Sequence, residues 1–155
     1  MFFKGLILAS TSPYRRTLLE RLGLPFECVA PRVDETPLPG ESAAEMSLRL
    51  ARLKAEAVAA QFPDCLVIGS DQVALRDAEK LGKPGSVEAC RAQLLQSSGR
   101  EVQFLTAVHL VDGPRRRTES HVDRTLVRFR TLQLAEIDRY IAADHPLDCA
   151  GGFKA

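Results

Sequence analysis

Two kinds of apolar pattern alternate along the chain: short solid runs and longer stretches with helical spacing. Leu6, Ile7, Leu8 and Ala9 form a run that suits a strand buried on both faces. Ser10, Thr11 and Ser12 follow as a hydroxyl-rich turn. Pro13 fits the first turn of a helix, where a missing N–H costs nothing, and Ser12 fits its N-cap. This helix carries Leu18, Leu19 and Leu22 on one face and stops at Gly23. Phe26 to Ala30 reads as a second short strand, so the chain opens strand, helix, strand, as α/β domains do.

Pro31 to Gly40 is a loop rich in proline and acid. Ser42 then opens a long helix, and Glu45 completes a capping box. Met46, Leu50, Leu53, Ala57 and Ala60 recur at helical spacing, with Lys54 on the edge of that face and Arg49, Arg52 and Glu56 toward water. Cys65 to Gly69 is the most apolar run and reads as a central strand; Val73 to Leu75 extend it to a polar turn at Arg76 to Lys80. Residues 81–85 read as a loop, and Ser86 caps a helix through Gln96. Glu101 to Asp112 and Thr118 to Arg130 are strands joined by a hairpin loop that carries Arg115, Arg116 and Arg117. A helix follows from about Leu134 to Ala143, and the glycine-rich remainder, Cys149 to Ala155, shows no closing element. The pattern predicts one α/β domain over residues 1–155, a mixed sheet flanked by helices.

Composition narrows the function classes. The chain has 155 residues, 45% hydrophobic and 26% charged, with a net charge of +1. That describes a globular domain with no global electrostatic case for nucleic acid or membrane as partner. No apolar run is long enough to cross a bilayer, and Met1 to Lys4 lead into one too short for a signal peptide. The four cysteines form no CxxC pair and no zinc spacing, and Cys65 reads as a buried reduced thiol. A reducing cytoplasm is the expected location.

The chemistry must therefore be local. A helix N-terminus attracts anions, and Arg15 and Arg16 stand in a first turn where the helix dipole disfavours cations. They make sense if a phosphate shares the site; the plain alternative is an ordinary capped helix with two solvated arginines. Gly82-Lys83 is not a P-loop, since Asp77 stands where the first glycine belongs and Pro84 replaces the Ser/Thr; no GxGxxG occurs. Asp71 lies just past the most apolar run, and Asp34 and Glu35 lie in a loop after another strand. Carboxylates from two strand ends suit a divalent metal, and one of them suits a water that must be oriented or deprotonated. The bland alternatives are a strand-end cap for Asp71 and a solvated loop acid for Glu35. Lys54 and Lys83 would add point charges to a phosphate site, although most lysines are only solvated. His109, His121 and His145 have no partner spacing and read as structural.

Six blocks carry a family resemblance in order: Ser10 to Leu19, Val33-Asp-Glu-Thr36, Lys54 in Leu-Ala-Arg-Leu-Lys-Ala, Ile68-Gly-Ser-Asp-Gln-Val73, Gly82-Lys-Pro84 and Ala150-Gly-Gly-Phe153. Together they resemble the Maf family of nucleoside triphosphate pyrophosphatases. The resemblance implies an inosine-triphosphatase-like α/β fold, usually dimeric, and hydrolysis of a nucleoside triphosphate to monophosphate and pyrophosphate with a divalent metal, Mg2+ or Mn2+. It implies Asp71 as catalytic acid/base and metal ligand, and Glu35 as a second metal ligand. Ser10, Arg15, Arg16, Lys54 and Lys83 would hold phosphates, with Tyr14 and Gln72 completing the substrate-binding set. One subgroup has Arg at the position of Tyr14 and acts on dTTP and UTP; the other has an aromatic there and acts on 7-methyl-GTP. This chain is similar to the second, and a methylated guanine carries the positive charge that an aromatic face attracts. A non-catalytic nucleotide-binding regulator of cell division is the alternative from another class. Family members continue past the position of Ala155, so a C-terminal part is expected to be missing.

Overall fold

The computed structural model describes residues 4–155, which divide into two compact units. Residues 4–71 with Thr106–Val122 make the first, and Gln72–Leu105 with Asp123–Ala155 the second. The elements in chain order are β1 (Leu6–Leu8), α1 (Pro13–Glu20), β2 (Glu27–Cys28), α2 (Ala43–Ala59), β3 (Leu66–Arg76), β4 (Glu79–Leu81), α3 (Val87–Ser97), β5 (Glu101–Asp112), β6 (Arg117–Arg128) and α4 (Leu134–Asp144). Strand order is β2-β1-β3-β5-β6, with β4 paired to β3 off this path. β1 is parallel to both neighbours, with Leu6 opposite Leu66 and Leu8 opposite Ile68 and Cys28. β4 is antiparallel to β3, so the sheet is mixed and β3 is central, as the apolar pattern predicts.

In the first unit β1 is buried along its length, and Ile7, Ala9, Ala55, Val58 and Val67 form one core cluster. α2 starts where the sequence says it should. Ser42 accepts from the Glu45 amide at 3.1 Å, and the Glu45 carboxylate accepts from the Ser42 amide at 2.8 Å. Its buried face, Leu50, Ala51, Lys54, Ala55 and Val58, has alanines where β3 comes closest. A Cβ on Gly69 would lie 2.2 Å from the Ala51 carbonyl oxygen and 2.6 Å from the Ala55 nitrogen, so only glycine lets β3 and α2 approach this closely.

In the second unit Ala74, Leu81, Val102, Phe104 and Ala150 form one cluster, and Cys90, Leu94, Ile137 and Ile141 another. Phe153 meets Phe129 edge-on at 5.1 Å between ring centroids. Arg76 is buried at the end of β3. Its guanidinium donates to the Gln93 carbonyl (3.2 Å), Ser97 Oγ (3.0 Å), Gln96 Oε1 (2.8 Å) and Glu79 Oε2 (3.0 Å).

Several elements differ from the sequence pattern. The polar turn expected at Arg76 to Lys80 shrinks to Asp77 and Ala78, with Asp77 in the left-handed region (φ 53°), and β4 follows at once. Charged letters masked that hairpin, because Arg76 is tied inward. β2 contracts to Glu27–Cys28. α1 ends at Glu20 and has no fully buried residue; Leu18 within it and Leu22 in the turn beyond it are 61% and 63% exposed. Cys65 is half-buried rather than buried. The glycine-rich remainder forms two 3-10 turns, Pro146–Asp148 and Ala150–Gly152, with Gly151 at φ 70°. Of the leader segment, Met1 to Phe3 lie outside the described residues.

Candidate active site

Three side chains from three parts of the first unit meet at one point. Lys54 reaches up from the buried face of α2, and its Nζ stands 2.9 Å from Asp71 Oδ1 on β3 and 2.6 Å from Glu35 Oε1 on the loop after β2. Lys54 and Asp71 are buried, whereas the Glu35 side chain is half exposed. Buried charges persist only when paired, and this ammonium is paired twice.

Each partner is held from behind. The Ser70 hydroxyl donates to the Ala107 carbonyl at 2.8 Å in a buried bond, fixing the backbone beside Asp71. The close approach at Gly69 sets the depth of α2 under β3 and hence the height of Lys54. The Glu35 loop is shaped by Asp34, whose Oδ1 accepts from the Thr36 amide (2.9 Å) and hydroxyl (2.6 Å). Those bonds pull the Asp34 carboxyl below its ordinary range. Arg49 donates to the Thr36 carbonyl at 3.2 Å and pairs with Glu41, tying the same loop to α2.

Arg15 faces this cluster. Burial pushes its guanidinium below the usual value, and the Asp71 and Glu35 charges oppose that shift. At Asp71 burial pushes the carboxyl upward, Lys54 and then Arg15 pull it down, and Glu35 pushes it up again; the net direction is up. Below Arg15, the Ser12 side chain caps α1 by accepting from the Arg15 amide at 3.4 Å. The buried Ser10 hydroxyl accepts from the Ser12 amide at 3.0 Å.

The sequence-selected residues thus separate. Glu35, Lys54 and Asp71 are in contact, Arg15 acts on both carboxylates, and Ser10 shapes the turn beneath α1. Arg16 is exposed and pairs with Glu20 at 3.3 Å. Tyr14 is 37% exposed on the first turn of α1. Gln72 follows Asp71 on β3, and Lys83 is exposed in the segment between β4 and α3; both belong to the second unit. Sequence reading missed Gly69, Ser70 and Arg49 as supports. A glycine inside the most apolar run was the available signal, since strand glycines mark close backbone approach. His109 is buried with Nδ1 2.6 Å from Ser120 Oγ, which fits a structural role.

The donor set bears on a metal. Among the described residues no group of three His, Cys, Asp or Glu is arranged to hold an ion. Two carboxylates are available, Glu35 and Asp71, both now on the Lys54 ammonium. Magnesium habitually takes one or two carboxylates and fills its octahedron with water and substrate phosphates. The residues therefore fit a hard divalent cation shared with a phosphorylated ligand rather than a closed resident site.

Residues 5–155 match the family described as Maf-like protein. The chain is 54% identical over 150 residues to the 7-methyl-GTP pyrophosphatase of Ralstonia nicotianae, covering 97% of this chain and 77% of that one. It is 55% identical over 150 residues to the enzyme of the same name from Bordetella pertussis, covering 97% and 74%. Among solved structures, the Staphylococcus aureus Ham1 protein shares the fold, with a TM-score of 0.56 at 21% identity, over 81% of this chain and 71% of that chain.

Proposed function

Since the chain belongs to the Maf family, we propose that it hydrolyses a nucleoside triphosphate, 7-methyl-GTP in the first place, to the monophosphate and pyrophosphate. The observation that carries this is the buried Lys54 joined to Asp71 and Glu35 with Arg15 facing both. Relatives over half identical are named for that activity, which supports the choice of substrate.

In this mechanism a water attacks the α-phosphorus and pyrophosphate leaves. Asp71, its carboxyl raised by burial, accepts the proton of the attacking water at a carboxylate oxygen. Lys54 and Arg15 offset the charge that develops on the phosphate oxygens. Ser10, Arg16 and Lys83 are assigned to the remaining phosphate contacts, and Gln72 to the substrate beside Asp71. A divalent cation, Mg2+ or Mn2+, held by Glu35 and Asp71, would supply further charge neutralisation on the phosphates. Tyr14, half open on α1, is suited to stack on a cationic methylated base.

The decisive assay is pyrophosphate release from a panel of triphosphates, 7-methyl-GTP, GTP, dTTP and UTP, with magnesium and with manganese. We expect 7-methyl-GTP to lead; dTTP and UTP in front would support the alternative base choice. Asp71→Asn should lower turnover by roughly 10²–10⁴-fold with folding intact. Full activity in that variant would remove Asp71 from its role.

The cellular setting belongs to the same proposal. None of the four cysteines is in a disulfide, which suits a reducing cytoplasm. No helix among the described residues is long and apolar enough to cross a membrane. A homodimer is tested by the mass of the purified protein in solution.

A further inference from the structure

Lys54 occupies the place a cation would take. Its Nζ lies within 3 Å of both carboxylates, 2.6 Å from Glu35 Oε1 and 2.9 Å from Asp71 Oδ1, and the side chain is buried on α2. The two acids carry two negative charges; Lys54 and Arg15 carry two positive ones. Within these four groups the charges cancel before any ligand arrives. A divalent cation entering alone would have to take the carboxylates from Lys54 and would face the positive charges of Lys54 and Arg15. A triphosphate entering alone would face two carboxylates. Entering together, each ligand neutralises what the other leaves: the metal takes the carboxylates, and the released ammonium meets phosphate oxygens.

We propose that Lys54 is the internal counter-cation of the Glu35–Asp71 pair, displaced by the incoming divalent metal, and that this exchange makes metal and triphosphate bind cooperatively. The proposal rests on the metal and substrate reading given under Proposed function. It adds that one side chain couples the two ligands. Coupling of this kind is reciprocal, so the metal must tighten the triphosphate by the factor with which the triphosphate tightens the metal.

The test is direct binding of Mn2+ to the full chain, followed by the electron paramagnetic resonance of the free ion, for wild type, Lys54→Gln, Lys54→Met and Lys54→Arg. Circular dichroism melts establish that each variant folds, and Lys54→Gln, which can still hydrogen-bond both acids, is the mildest. Without nucleotide, we expect both neutral variants to bind Mn2+ about tenfold more tightly than wild type, and Lys54→Arg to stay weak. The α,β-methylene analogue of 7-methyl-GTP should tighten Mn2+ binding in wild type, and that gain should shrink in Lys54→Gln. Equal Mn2+ affinity in wild type and Lys54→Gln would overturn the proposal. Should neither neutral variant fold, the 15N-labelled Lys54 ammonium of wild type decides: it must shift when Mg2+ alone saturates the protein, and an unmoved signal overturns the exchange. Absence of pyrophosphate release with the predicted Mn2+ pattern intact would sink the enzymatic reading and leave the exchange supported. Mn2+ that binds wild type together with the analogue, while Lys54→Gln without nucleotide binds Mn2+ no more tightly than wild type does, would sink only the exchange.

Discussion

Asp71 shows how a single residue's environment sets its chemistry. Burial raises its carboxyl above the ordinary carboxylate range, and Lys54 and Arg15 only partly offset that. A base works when ionised, so kcat/KM should fall as pH falls through this raised pKa, at a higher pH than an exposed aspartate would give. Glu35 is one of the groups raising Asp71, so Glu35→Gln should move the acid limb to lower pH. A limb that stays in place in that variant would mean that Asp71 does not govern it. Gly69 acts on the same centre with no side chain of its own. A methyl group there would meet backbone atoms of Ala51 and Ala55, which have little room to give. Gly69→Ala should cost about 3 kcal/mol, read as a lower urea midpoint, with turnover falling as Lys54 is pushed from Asp71.

At the scale of elements, α1 and the β3–β4 hairpin illustrate opposite failures of a local pattern. α1 has helical spacing of leucines, good capping and a proline start, and all were legible; yet none of its residues is fully buried, and Leu18 is 61% exposed. The role proposed for it lies in its first turn, with Arg15 turned to the acids and Tyr14 left half open. Tyr14→Arg should therefore weaken 7-methyl-GTP turnover more than that of unmethylated triphosphates; equal losses across the panel would make Tyr14 a general contact. In the hairpin the charged letters of Arg76 and Glu79 read as solvated turn, whereas Arg76 is among the most buried side chains. Sequence shows a residue's polarity but not the partners waiting for it on α3, here Gln93, Gln96 and Ser97. Arg76→Met keeps the stem's volume and loses four hydrogen bonds. It should destabilise the fold by about 3 kcal/mol in urea unfolding.

For the molecule as a whole, what could be read in advance depended on distance along the chain. The capping box at Ser42, the central place of β3 and the β5–β6 hairpin follow from neighbours a few residues apart. The meeting of Glu35, Lys54 and Asp71 does not, since each was plausible alone as a loop acid, a solvated lysine or a strand cap. Only the ordered family blocks joined them, and only the folded chain seats the lysine between the acids. The cysteines offer a test of packing across the whole chain. None is in a disulfide; Cys28 is exposed, Cys65 and Cys149 are half-buried, and Cys90 is buried in the core of the second unit. Burial also pushes the Cys90 thiol upward, reducing its thiolate further. A thiol-reactive dye under native conditions should therefore label Cys28 first and Cys90 last, and all four cysteines at one rate in denaturant. Mapping the labelled peptides by mass spectrometry over time checks the order. Early labelling of Cys90 would mean that the packing around it, including the contact with Gly152, opens readily in solution.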